Sequence, residues 1–261
     1  MSPFGQRLFT LVAGCILCVG FSAYCGQDSS GDGYAGSMAA LKSGNYGVED
    51  LKRMLLDSAN SASLDAVQER AYLNEVMNAL RRTADPDDGV EEALVAVASD
   101  SGRDPGVREY ALQHLGLWGK AGAQFAEATD ALWDFTEDPT LSSAAILQLH
   151  HLGGARLRGR EAWGEVLAWA MNRENLRDAD KVTLLLVSAE SGAAEALPKA
   201  KAWALAAKDT VLLKCAIHAV GTLGTQEDLK FLDGLKTRKD LKDVEIVWAK
   251  ARQRLKEGGE R

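Results

Sequence analysis

Asp104-Pro105-Gly106-Val107-Arg108-Glu109-Tyr110-Ala111-Leu112-Gln113-His114-Leu115-Gly116-Leu117-Trp118-Gly119 is the stretch whose reading decides the fold. Its second half runs Ala-Leu-x-x-Leu-Gly-x-Trp-Gly, and the pattern returns as Ala216-Ile217-x-x-Val220-Gly221-x-Leu223-Gly224. The copies stand 105 residues apart, which divides into three units of about 35. A period of that size marks a repeat architecture, in which no unit buries its apolar face alone and stacked neighbours make one continuous core.

Working outward, four units close on Gly119, Gly154, Gly192 and Gly224, at intervals of 35, 38 and 32. Each reads as helix, short polar turn, helix. The turns are Asp100 to Gly106, Glu137 to Thr140, Asn172 to Asp180 and Ala207 to Thr210. Asp or Thr beside Pro suits a helix start, and the closing glycines suit helix C-termini that need a left-handed residue. Before these units, Val48, Leu51, Met54 and Leu55 repeat at helical spacing, as do Leu73, Val76, Met77 and Leu80. Ser61 and Ser63 are the expected caps of that second helix. The run Asp85 to Gly89 separates this first pair from the rest. A last unit, Thr225 to about Lys256, ends in a helix with Val244, Trp248, Ala251 and Leu255 on one face.

A second register comes from Trp133, Trp169 and Trp203, spaced by 36 and 34, with Val97 a further 36 before Trp133. At repeat spacing these positions are expected to form a buried column. A fully buried Trp169 would cost about 3–5 kcal/mol on truncation to Ala.

The chain has 261 residues, 46% hydrophobic and 26% charged, which is enough for a sizeable core. Its net charge of −7 argues against a nucleic-acid backbone as partner. The charge is uneven: residues 26–100 carry fourteen acidic side chains against six basic ones, and residues 225–261 carry ten basic against eight acidic. Cys15, Cys18 and Cys25 lie in the N-terminal apolar stretch, leaving Cys215 alone in an apolar run as a buried core residue, with no disulfide framework.

Residues 1–25 read as an export signal: Arg7 precedes fourteen uncharged residues, Leu8 to Phe21, too short for a comfortable membrane span. Leu11 to Cys15 resembles the lipobox of bacterial lipoproteins. Cys25, followed by Gly, Ser and Asp residues, resembles a lipoprotein tether. Lipidation at Cys15, lipidation at Cys25 and plain cleavage after Ser22 stay open. The expected organisation is a signal (1–25), a flexible linker (26–37), a helical-repeat domain (38–257) and a short tail (258–261). The expected location is exported, either periplasmic or a membrane-anchored lipoprotein.

Asp-Pro-x-Val-Arg followed by Ala-Leu-x-x-Leu-Gly resembles the second helix of HEAT repeats, and Glu91 to Ser99 fits the first. The match covers 88–119 and 193–224 well and 120–192 in part. Tetratricopeptide repeats have a similar period, but their Gly, Tyr and Pro pattern is not met. The resemblance implies an all-α fold, an armadillo-type α-solenoid of about six antiparallel helix pairs. In that family the arginine of Val-Arg tends to bridge neighbouring repeats. Here only Arg108 matches, with Ser143 and Leu213 at the equivalent places, so an arginine ladder is not expected.

Chemistry-bearing constellations are sparse. His114, His150, His151 and His218 form no metal-binding spacing on one helix. His150-His151 reads as a favourable contact with a helix C-terminus. No phosphate-binding loop follows a strand, and Asp87-Asp88 and Glu91-Glu92 answer a positive helix end. Lys236 to Lys242 reads as a solvated basic turn, with an anionic surface as the other reading.

One surface can be placed. If Val107, Ala111, Leu115 and Trp118 face the core, Glu109 and Gln113 point outward, and the repeat offset adds Gln148, Lys214 and His218. These five are the candidate lining of the concave groove that the resemblance implies. The leading expectation is a non-enzymatic scaffold that binds a protein or peptide, without cofactor, metal or nucleic acid, and with possible membrane attachment through the N-terminus. The alternative is a HEAT-like enzyme or ligand-modifying protein, of the bilin-lyase type, with its site in the groove. Several ionisable groups converging in one place would favour it. A HEAT-like DNA glycosylase is disfavoured by export and by acidity.

Overall fold

The computed structural model describes residues 31–44, 46–57, 63–85, 88–120, 125–157 and 159–258. The signal stretch with Cys15, Cys18 and Cys25, together with Ser61, Asp87 and the last three residues, lies outside them. The chain divides into two compact units, Met1–Ser43 and Gly44–Arg261. The described part of the first is a single helix, α1 (Gly31–Ser43), closed by the Ser43 hydroxyl donating to the Ala40 carbonyl at 2.7 Å. It takes in residues 31–37 of the expected linker.

All regular elements among the described residues of the second unit are helical. They are α2 (Val48–Leu56), α3 (Ala66–Thr83), α4 (Val90–Ser99), α5 (Pro105–Lys120), α6 (Phe125–Phe135), α7 (Ser142–His151), the single turn α8 (Gly154–Leu157), α9 (Arg160–Met171), α10 (Asp178–Ser191), α11 (Leu197–Ala206), α12 (Thr210–Leu223), α13 (Leu229–Gly234) and α14 (Glu245–Gly258). Short 3-10 turns flank α11 and α13. None of the described helices is long and apolar enough to cross a membrane.

Contacts follow the period of the sequence. The helices α3, α5, α7, α10, α12 and α14 each pack on the next in that series, and each also packs on the helix before it in its own pair. The expected apolar face of α5 is buried at Val107, Ala111, Leu115 and Trp118, and that of α14 at Ala251 and Leu255. Cys215 is a buried free thiol, and burial pushes its pKa up to about 12, which removes it as a nucleophile at neutral pH. The helix α10 is enclosed on several sides: Val182, Leu184, Leu185, Leu186, Val187 and Ala189 are all buried. A helix apolar on nearly every side needs neighbours on nearly every side.

The starts of the helices share one device. Asp65, Asp104, Asp138 and Asp209 each accept hydrogen bonds from the backbone amides two and three residues on. These carboxylates satisfy amides that a helix or turn start leaves without partners. Asp65, rather than the expected Ser63, caps α3, and it forms a capping box with Gln68.

Two of these aspartates, and Asp180 besides, are also reached from the preceding repeat. Arg70 lies 3.6 Å from Asp104, Arg108 donates to Asp138 at 3.0 Å, and Ser143 donates to Asp180 at the start of α10. The Asp138 carboxyl is partly desolvated, which would raise its pKa. The Thr140 and Leu141 amides and Arg108 outweigh that and hold it below its ordinary value. No arginine ladder forms, as the single match at Arg108 implied, but a polar ladder of another kind does. It is made of mixed donors, so a search for repeated arginine misses it, and Leu213 ends it. Arginines of the turns add a second set of ties. Arg103 donates to the Leu56 carbonyl at 2.8 Å, and Arg238 donates to those of Ala204, Leu205 and Ala207, the free carbonyls at the ends of α2 and α11.

Two other expectations fail. Of the four closing glycines only Gly192 is a left-handed helix terminus, with φ 70°. Gly119 lies inside α5, Gly154 begins α8, and Gly224 ends α12 in an extended conformation. The repeated glycines mostly serve close approach. A Cβ on Gly221 would stand 2.4 Å from Ala251 Cβ, so the missing side chain is what lets α12 and α14 touch.

The tryptophan column is absent as well. Trp133 is buried, Trp203 is half-buried, and Trp169 is 48% exposed with Arg173 stacked 5.1 Å from its ring. The core position on α9 is taken by Trp163, 1% exposed, which meets Trp133 edge-on at 5.7 Å. Trp163 and Trp169 are six residues apart, about 120° around a helix, so only one can face inward.

In urea melts, Trp163→Ala is expected to lose about 3–5 kcal/mol of stability and Trp169→Ala less than about 1 kcal/mol. Equal losses would contradict this packing.

Candidate functional site

The last turn of α7 carries His150, and the last two residues of α10 are Glu190 and Ser191. Because α7 and α10 pack directly against each other, their C-terminal ends bring these three side chains together. His150 Nε2 lies 3.0 Å from Glu190 Oε2, and His150 Nδ1 lies 3.3 Å from Ser191 Oγ. From the other side, the indole Nε1 of the buried Trp163 donates to Ser191 Oγ at 2.8 Å.

These partners assign the protons. A neutral imidazole has one donor and one acceptor nitrogen. Glu190, an acceptor, takes the Nε2 proton, which leaves Nδ1 as the acceptor. Ser191 Oγ already accepts from Trp163, so its own proton is free to go to His150 Nδ1. The order is carboxylate, imidazole, hydroxyl, the arrangement that activates a serine for nucleophilic attack. The side chains of His150 and Glu190 keep 18% and 29% of their surface, so the group is open to a ligand while its geometry is held by helices. Gly192, in its left-handed conformation, turns the chain away immediately after Ser191.

Further along the same helix ends, α12 carries His218 and Thr222, and α14 carries Arg254. His218 is half-buried, and its pKa is pushed down to about 4, by burial first and by Arg254 second, while Glu190 acts in the opposite direction. His218 therefore stands within electrostatic reach of both Glu190 and Arg254. Among the described residues, no group of three or more His, Cys, Asp and Glu could hold a metal ion.

The five groove candidates do not gather as expected. Glu109 accepts from Arg177 at 2.6 Å, so it is tied to the turn before α10. Gln113 is half-buried and Lys214 is exposed. Gln148 does not face outward: it is buried where α7 passes Gly116, and a Cβ at that glycine would come within 2.6 Å of its amide oxygen. Only His218 adjoins the Ser191 group. His150 was not read from sequence as part of a site, and neither were Glu190 and Ser191. The available signal was positional. His150-His151 precede Gly153, and Glu190-Ser191 precede Gly192, so both dipeptides stand at the ends of consecutive second helices.

No family model matches the chain, and no curated protein does. Among solved structures, human deoxyhypusine hydroxylase in complex with glycerol is similar at 15% identity, over 85% of this chain and 99% of that chain, with a TM-score of 0.32. That likeness is compatible with a HEAT-like helical fold. By its name that protein is an enzyme, which runs against the expectation of a non-enzymatic scaffold. At this distance nothing of its chemistry passes to the present chain.

A buried histidine supplies the pH test of the neighbouring packing. His114 on α5 contacts Asn74 Oδ1 through Nε2 at 3.0 Å, and its Nδ1 has no hydrogen-bond partner. Burial, helped by Arg81, pushes its pKa from 6.5 down to about 4. The unfolded chain therefore binds a proton that the folded chain refuses, and stability falls as pH drops from about 6.5 towards 4. In His114→Gln, the stability lost between pH 7 and pH 4 should shrink by about 3 kcal/mol, read from urea melts at the two values. An unchanged loss would mean that the imidazole is charged in the fold.

Proposed function

We propose that the protein is an enzyme of ester hydrolysis or acyl transfer, with Ser191 as nucleophile, His150 as general base and Glu190 as the carboxylate that orients His150. The observation that carries the reading is the hydrogen-bonded order of Glu190, His150 and Ser191 at 3.0 and 3.3 Å. In the first step Ser191 Oγ bonds to the acyl carbon while its proton passes to His150 Nδ1. The imidazolium keeps its Nε2 proton directed at Glu190, whose negative charge stabilises it. Collapse of the tetrahedral intermediate breaks the bond to the leaving alkoxide, which takes the proton from His150. Water, deprotonated by the same imidazole, then releases the acyl group and restores Ser191. Trp163 keeps the Ser191 oxygen turned toward His150 throughout.

In this reading the helices form about six HEAT-like pairs stacked as an α-solenoid. Supporting it are the unbroken series of neighbour contacts from α3 to α14 and the Asp-capped starts that recur along the chain. The charge-free run from Leu8 to Phe21 behind Arg7 supports an exported protein, periplasmic or held at a membrane through its N-terminus.

The test is turnover of an activated ester by purified protein. Ser191→Ala and His150→Gln are each expected to reduce kcat/KM at least 100-fold, and Glu190→Gln about tenfold or more, with melting curves close to the parent. Hydrolysis that survives Ser191→Ala undiminished would reduce the trio to a polar cap on α7 and α10.

A further inference from the structure

Arg254 stands apart from most arginines of this chain. Its guanidinium Nη1 lies 3.3 Å from His218 Nδ1 and 3.1 Å from Thr222 Oγ1, the Thr222 hydroxyl in turn donates to the His218 carbonyl at 2.9 Å, and among the described residues no carboxylate lies within ion-pair distance of Arg254. Arg108, Arg177, Arg238 and Arg252 each have such a partner. Arg254 is exposed, yet two neutral groups of α12 hold one edge of its fork. A guanidinium positioned in this way keeps its other N–H groups available for a planar anion, which it can bind with two parallel hydrogen bonds.

Its place relative to Ser191 follows from the packing. The end of α10 carries Ser191, α12 packs on α10, and α14 packs on α12. Neighbouring helix axes stand roughly 8–10 Å apart and α12 lies between α10 and α14, so a ligand reaching from Ser191 to the Arg254 fork passes over α12 and spans several bonds beyond its acyl carbon. His218 lies between. Accepting from Arg254 at Nδ1, it carries its proton on Nε2 and offers a second donor, and with a pKa of about 4 it stays neutral near pH 7. The fixed positive charge of this stretch is therefore that of Arg254.

We propose that Arg254, positioned by Thr222 and His218, recognises a carboxylate on the acyl chain of the substrate, so that the Ser191 site selects monoesters of dicarboxylic acids over neutral esters. The inference rests on the Ser191 reading for its chemistry, but binding at Arg254 is measurable without turnover. The probes are two non-hydrolysable anilides of equal length, adipic acid monoanilide and hexananilide, titrated into the full chain by calorimetry at neutral pH and low salt. Parent protein and Ser191→Ala should both bind the monoanilide at least tenfold more tightly than hexananilide. Arg254→Gln should abolish that difference while leaving hexananilide affinity unchanged, and Arg254→Lys should keep part of it. Equal binding of the two anilides by the parent, or an undiminished difference in Arg254→Gln, overturns the proposal. Loss of turnover in Ser191→Ala is a separate readout, so failure of the carboxylate preference and failure of the nucleophile assignment are told apart.

Discussion

Burial of α10 among α7, α9 and α12 is the constraint on which the rest depends. Six of its apolar residues are buried, spread round most of its circumference, so in isolation this helix would expose far more apolar surface than its own hydrogen bonds could offset. It is stable because a helix lies on each side. The same packing carries Glu190 and Ser191 to His150, and Trp163 of α9 holds Ser191 there from the other side.

Polar interactions do a different job here. The Asp caps and the Arg70, Arg108 and Ser143 contacts lie at the starts of the second helices, where amides lack partners and where adjoining repeats have to agree in register. Arg103 and Arg238 supply the complementary service at carbonyl-rich helix ends. Each such contact is modest in net free energy, but a desolvated amide or carbonyl left without a partner costs more than the bond itself contributes. The ladder therefore aligns helices that apolar burial has already brought together.

The candidate site uses the opposite ends of those helices. There the last turns present side chains rather than caps, and successive second helices set them side by side: His150 from α7, Glu190 and Ser191 from α10, His218 from α12 and Arg254 from α14. A repeat protein can assemble a functional group in this way without any local motif, because neighbours in space are roughly forty residues apart in the chain. The expected groove was drawn from a single helical face at a constant offset. It held only His218, since Gln148 falls between α5 and α7 and Glu109 is engaged by Arg177.

What the sequence determined by itself is whatever depends on spacing within a helix or on a chain break. The helical class follows from apolar residues at three- and four-residue intervals, the turns from Asp, Pro and Gly, and the inward faces of α5 and α14 from the same periodicity. Tertiary structure alone decided which residues meet across helices. Trp163 took the core place expected of Trp169 because the two stand about 120° apart on α9 and packing against its neighbours decides which faces inward, while unequal repeat intervals make every such count drift. For the same reason no rule of spacing could pair His150 with Ser191. Their meeting depends on the lateral offset of two packed helices, which side-chain volume and the glycine contacts set and which a linear pattern does not encode.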